Sequence, residues 1–280
     1  MKRVILLIII IVSFAFMFFF WGGNKLTAHT IKTKIEELRD STNFNKKNIF
    51  TLAELDSLPQ LLSKYFETVL VDNSLKPNFI TLGQTAYIKT DEDSEWMKID
   101  ATECFTTVQP NFLWNSTLQN SDLFWVQSID SYIHGNGNML IKLNSSITIA
   151  DAWNVEMDKS GLFRYFSEAL FFPTSLLPNK NLHWNVLDSN TAEVKFVDEA
   201  NSIVAKVFFA KDNTIEKIET MDKFRTTHGG YVKTPYTIYY SNYKWLNENY
   251  FVPTHFEVEW DLPDGKFRYG KFDVTHIKYE

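Results

Sequence analysis

Hydrophobic and polar positions alternate along this chain in three different regimes. From Val4 to Trp21 eighteen residues run without a charge, and only the hydroxyl of Ser13 interrupts their apolar character. As a helix rising ~1.5 Å per residue this run spans roughly 27 Å, close to the ~30 Å of bilayer hydrocarbon. Lys2 and Arg3 precede it, so the positive-inside rule predicts a cytoplasmic N-terminus and an extracytoplasmic remainder, with Trp21 at the outer interface. A cleaved signal peptide is the competing reading, but its apolar region is usually about 7 to 15 residues and ends in a small-x-small site. Here the run ends in Phe18-Phe19-Phe20-Trp21 and Gly22-Gly23, which offers no such triplet. A retained single-pass anchor in a bacterial cell membrane is therefore expected. The next stretch, to Asp56, is polar with sparse apolar positions (Ile31, Ile35, Leu38, Ile49, Phe50, Leu52, Leu55), which predicts a frayed juxtamembrane helix and a spacer. The expected divisions are 1–23 for the cytoplasmic tip and anchor, 24–56 for a connector, and 57–280 for one extracytoplasmic domain.

Beyond Ser57 the periodicity becomes informative. Ser57 can cap a helix, Pro59 suits its first turn, and Leu58, Leu61, Leu62, Tyr65, Phe66, Val69 and Leu70 recur at 3.6-residue spacing. Such a stripe is expected to cover a sheet. From Asn78 onward short runs rich in Thr, Val, Ile and aromatic residues alternate apolar with polar positions, as in Val252, Thr254, Phe256, Val258 and Trp260. Turn signals such as Gly135-Asn136-Gly137, Asp212-Asn213, Gly229-Gly230 and Asp264-Gly265 separate the runs, and turns this short join antiparallel neighbours. Near the C-terminus the apolar parity switches from Phe267 and Tyr269 to Phe272 and Val274, with Gly270 at the switch, which predicts a bulge. One segment, Gly161 to Leu177, lacks alternation and reads as a second packed helix ending near Pro173. The predicted class is α+β: an N-terminal transmembrane helix, then a large curved antiparallel sheet, an open half-barrel of about 11–12 strands, with two packed helices.

Charge and composition narrow the chemistry. The first thirty residues hold only basic charges, which leaves 25 basic against 34 acidic residues in the rest. Basic clusters no longer than pairs such as Lys46-Lys47 speak against nucleic acid as a partner. The single cysteine, Cys104, excludes an internal disulfide and reads as a small buried hydrophobe. No nucleophile elbow, phosphate loop or dinucleotide fingerprint is present. The six histidines never fall within four residues of one another, so no local metal pair exists, and no cofactor is expected.

The polar residues that stand out are Arg164 and Glu168, four apart and therefore on one helical face, with Asp130 and Tyr132 ahead of the Gly135-Asn136-Gly137 turn. These four are the candidate ligand-binding residues, with Arg164 and Glu168 placed at a cavity mouth and Asp130 and Tyr132 able to meet their helix; the plainer alternatives are a solvent-facing ion pair or a buried one that ties helix to sheet, and ordinary strand and turn chemistry for Asp130 and Tyr132. Twenty-four Phe, twelve Tyr and eight Trp exceed what one cluster uses, and rigid rings suit the lining of an apolar cavity.

Leu58-Pro59 with Tyr65-Phe66, Gly135-x-Gly137-x-Met139, the block Arg164-Tyr165-Phe166-Ser167-Glu168 running to Pro173, Trp184 ahead of Asp188 and Ala192, and Val252-Pro253 with Trp260 together resemble an uncharacterised bacterial family that carries a domain of unknown function. The resemblance covers most of residues 55 to 280 and brings no catalytic residue with it. It implies an architecture similar to the open half-barrels of lipoprotein carriers, which hold acyl chains. The leading expectation is a membrane-tethered protein binding a lipid or other amphiphile. The alternatives are an envelope hydrolase using carboxylates or histidines from separate strands, or a structural or interaction protein without a small-molecule site. The sequence leaves enzymatic activity and oligomeric state open.

Overall fold

The computed structural model describes residues 2–45, 47–119 and 124–280, without the side chains of 2, 3, 12, 15–17 and 19. Lys46, and the side chains of Lys2 and Arg3, thus lie outside the described residues. Thirteen strands form one sheet: β1 (Phe79–Ile88), β2 (Met97–Thr106), β3 (Asn111–Gln119), β4 (Trp125–Ile133), β5 (Asn136–Leu143), β6 (Ile147–Ala152), β7 (Leu182–Val186), β8 (Thr191–Asp198), β9 (Asn201–Phe209), β10 (Ile215–Thr220), β11 (Tyr236–Ser241), β12 (His255–Leu262) and β13 (Gly265–Tyr279). Their order is 6-5-4-3-2-1-13-12-11-10-9-8-7, antiparallel throughout. Two meanders are therefore joined where the first strand pairs with the last. The sheet is one strand larger than the upper expectation, and three two-stranded ribbons accompany it.

Local sequence explains the joints. The β4–β5 hairpin turns on His134 (φ 50°) and Gly135 (φ 81°), a pair of left-handed residues whose twist matches that of the flanking strands. The expected irregularity at Gly270 is present: Val258 faces Gly270 while Glu259 faces Arg268, leaving Tyr269 as the extra residue. A Cβ at Gly270 would stand 2.6 Å from Val258 Cγ2, so only glycine fits the bend.

Three helices pack on this sheet. The first, α1 (Lys2–Asp40), is continuous for 39 residues, and its second half is no spacer. Leu38, with Ile31 and Ile35, covers Phe79, Cys104, Leu113 and Ile129 on the outer face of β1–β4, and Arg39 forms a bidentate pair with Glu280 (2.8 and 3.1 Å). Thr27 donates to the carbonyl of Ser145 (2.7 Å). In the first half, Val4 to Ile11, Phe14, Phe18 and Trp21 stay exposed. Among the described residues no helix is long and apolar enough to cross a membrane.

The second helix, α2 (Gln60–Val69), starts just after Pro59 rather than on a Ser57 cap; it buries Leu62, Tyr65, Phe66 and Val69, with Tyr65 edge-on to Phe209 of β9. The third, α3 (Val155–Glu168), starts six residues before the expected Gly161 and ends at Glu168, with two single 3₁₀ turns taking the chain on to Leu176. Asn154 accepts from the amide of Met157, and Glu156 and Asp158 fill the first turn, which favours a helix N-terminus there.

The connection from β6 to β7, the two edges of the sheet, runs through α3, so the sheet curls around this helix without closing. Glycine makes the seat: a Cβ at Gly137 would lie 2.2 Å from the Met157 carbonyl oxygen, and one at Gly161 would lie 2.9 Å from Tyr132. Leu162, Phe163, Tyr165 and Phe166 are thereby buried, each side chain contributing about 1.5–3 kcal/mol.

Candidate functional site

Inside the curl lies a cavity of about 730 Å³, within the size range of small-molecule sites. Ile99, Phe112, Trp114, Phe163, Ile238, Phe256 and Trp260 form deep, buried parts of its wall. Beyond them an aromatic floor closes one end, where Phe105 meets Phe112, Tyr165 and Phe172 at ring distances of 5.0–6.2 Å. At the other end Ile88, Met97, Leu118 and Val126 are half-buried and Thr90 is exposed, so the cavity opens at these strand ends. Register places the Asn144–Ser146 turn beside them, since Leu118 pairs with Val126 and Val126 with Leu143. That turn is where α1 arrives: Ser145 accepts from Thr27, and Ser146 donates to the carbonyl of Phe20 (3.4 Å). The cavity mouth and the apolar half of α1 are thus at the same end of the domain.

One charged cluster sits in the wall. The Arg164 guanidinium lies 3.0 Å from Glu168 (Nε to Oε1), 3.2 Å from Asp130 (Nη1 to Oδ2) and 3.2 Å from Glu103 (Nη2 to Oε1). The rings of Trp114 (4.7 Å) and Phe112 (5.2 Å) face it, the geometry of a desolvated cation–π contact. Glu103 is fully enclosed between Trp114 and Leu82 on neighbouring strands, and apart from the Arg164 contact its carboxyl oxygens lack hydrogen-bond partners. Burial drives its pKa well above the ordinary carboxyl value, Arg164 opposes that, and the neighbouring Glu168 adds to it. Burial also raises Asp130, again against Arg164. Three carboxyl groups around one guanidinium cannot all be ionised cheaply, and the fully buried Glu103 is the one whose protonated form is favoured. Lys223, on the connection from β10 to β11, completes the cluster; burial and then the charge of Arg164 lower its pKa to about 8, against Asp130 and Glu168, which raise it.

The structure brings Arg164, Glu168 and Asp130 together in the cavity wall. Tyr132 is not part of that wall. It is fully buried on the far side of Asp130, where its hydroxyl donates to Asp198 (2.8 Å) and accepts from Asn201 (3.3 Å), which itself donates to the Gly135 carbonyl. These bonds clasp the β4–β5 hairpin to the β8–β9 hairpin and hold the two arms of the sheet together.

Glu103 and Lys223 were not singled out from sequence. A signal for Glu103 exists: it continues the inward phase Ile99, Ala101, Glu103, Phe105, an acidic residue where the pattern demands an apolar one. Lys223 lies on a connection, where no periodicity points inward. Cys104 is buried beneath α1, and burial pushes its thiol up to about 11. No group of His, Cys, Asp and Glu with metal-binding geometry occurs among the described residues.

Comparison with curated proteins finds no match. A crystal structure of a DUF1329 family protein from Desulfovibrio piger is similar at 10% sequence identity and a TM-score of 0.46, over 81% of this chain and 92% of that one, a likeness too remote to carry further. A family model described as "Family of unknown function (DUF6544)" matches residues 48–272, from the ribbon ahead of α2 to the bulged last strand. The chain therefore belongs to this family of unknown function.

Proposed function

We propose that this chain is a single-pass, membrane-anchored extracytoplasmic protein whose half-barrel binds an amphiphile, a lipid or a molecule built like one. The observation that carries the reading is the cavity: about 730 Å³, mostly apolar in its wall, open at one end and carrying a charged cluster around Arg164. Preformed apolar space of this kind is what an alkyl chain replaces water in most favourably, and the patch gives orientation. The anchor rests on the uncharged Val4–Trp21 run, on Lys2 and Arg3 before it, and on exposed apolar side chains along the first half of α1. The shared end of anchor and cavity mouth supports loading from the bilayer itself.

A hydrolase would need a proton donor that reaches its substrate. Glu103, the carboxyl most suited to that task by its raised pKa, is fully enclosed and does not line the cavity. Native mass spectrometry of the full-length chain, extracted from its membrane and washed with short detergent, tests the binding reading. One retained amphiphile per chain, lost when Ile141→Trp narrows the cavity, is the expected result. A chain that carries none and takes up none when lipid is restored would overturn it.

A further inference from the structure

The chain is acidic, with a formal charge of −6, yet four cations line its cavity against two carboxylates. Two of these cations are already engaged. Arg164 holds Asp130, Glu168 and Glu103, and the Lys89 ammonium donates to the Glu92 carbonyl (3.0 Å) beside the Trp96 ring. The other two sit together where the ribbon of Phe224–Thr227 and Gly230–Lys233 begins, next to the first turns of α3.

Arg225 makes no ion pair among the described residues, and its Nε is enclosed without a hydrogen-bond partner. Among the described residues Lys223 donates to the Ser160 carbonyl alone (3.2 Å) and stands 5.6 Å from the Tyr236 ring. Asp130 and Glu168 act on its ammonium through space without contacting it. Enclosed cationic donors that lack acceptors are costly unless something supplies oxygen atoms. The planar guanidinium fork matches the paired oxygens of a carboxylate or a phosphate, and the ammonium adds a point charge beside it.

We propose that Lys223 and Arg225 hold the anionic headgroup of the bound amphiphile, a carboxylate or a phosphate, while its chain fills the apolar cavity. This rests on the amphiphile reading given above and specifies its ligand class. An anion there completes the hydrogen bonding of Arg225 and gives Lys223 an ionic partner in direct contact. The cavity then selects against neutral and cationic amphiphiles, because either would leave the two cations unpaired.

Spin-labelled alkyl chains of equal length ending in a carboxylate, a phosphate, an alcohol or a trimethylammonium group test this with the full-length chain in nanodiscs. The protein-immobilised fraction is read by electron paramagnetic resonance. The carboxylate or the phosphate is expected to associate about tenfold more tightly than the alcohol, the factor one charged hydrogen bond supplies. The stronger of the two names the headgroup source. Lys223→Gln and Arg225→Gln should each remove most of that preference, with an unchanged far-ultraviolet circular dichroism spectrum reporting that the variants are folded. Lys195→Gln, on an exposed position of β8, should change nothing. Raising the pH through 8 should weaken the wild-type preference. Equal binding of alcohol and anions, or a preference for the ammonium chain, overturns the headgroup assignment while leaving the cavity reading intact. Absence of any immobilised chain overturns the cavity reading itself.

Discussion

Replacing Glu103 by glutamine probes the most unusual group behind the cavity wall. Its carboxyl is fully buried, within 3.2 Å of Arg164 Nη2 and beside the Glu168 carboxyl. Its ordinary pKa is 4.5, and burial raises it in the folded chain. The sign follows: a raised folded pKa means stability that is fully present below pH 4.5 and is lost as the pH rises toward the folded value, because the unfolded chain releases the proton first. Each pH unit above 4.5 through which Glu103 keeps its proton costs about 1.4 kcal/mol. Glutamine keeps the shape and the neutrality, and its amide can donate to the unpartnered Oε2 of Glu168. Glu103→Gln is therefore expected to stabilise the protein at pH 7, by about 1 kcal/mol or more, and to flatten the pH dependence above pH 4.5. The assay is urea unfolding of the full-length chain in detergent, followed by far-ultraviolet circular dichroism at several pH values. A loss of several kcal/mol with the pH dependence intact would refute the reasoning and show Glu103 to be ionised and paired with Arg164.

Three further expectations are independent of that residue. Gly137→Ala should cost about 3 kcal/mol or more in the same unfolding assay, because its Cβ would meet backbone of α3 rather than a side chain that can move; a neutral change would mean that α3 is not seated there. Cys104 should resist thiol reagents in the native state and react once the chain unfolds, since its thiol is buried with a pKa raised to about 11; rapid native labelling would mean that α1 does not stay docked. A fluorophore at Thr90→Cys, on the mouth rim, should be quenched by nitroxide lipids in a reconstituted bilayer. One at Val108→Cys, on the β2–β3 turn at the far end, should not; the reverse pattern would place the mouth away from the membrane.

Much of the fold was legible because its physics is local. Period-two alternation marked the strands, and the parity break marked the bulge at Gly270, where the eight residues from Phe267 to Val274 contain both the signal and its cause. Three features escaped because they depend on distant partners. The start of α3 follows β6 so closely that its cap, Asn154, reads as a turn residue. The polar second half of α1 looks like a spacer, since its stripe of Ile31, Ile35 and Leu38 finds a partner only once the outer face of β1–β4 exists. Ile147 and Ile149 share a parity yet are exposed, for they lie on an edge strand after a register shift at Ile141–Lys142. At the site, the spacing of Arg164 and Glu168 located one helical face, and Asp130 joined it from β4. Glu103 arrived through strand pairing, and Tyr132 turned to the opposite arm through a hydrogen bond sixty-six residues away in sequence.

The central claim is that alkyl chains occupy the space enclosed by the curled sheet. An uncharged alkyl diazirine, supplied to the full-length chain in bilayers, irradiated and mapped by peptide mass spectrometry, tests it directly. The account expects adducts on Met139, Ile141 and Trp260 inside the cavity as well as on the apolar half of α1. Adducts confined to α1, with the cavity wall unlabelled, would contradict it.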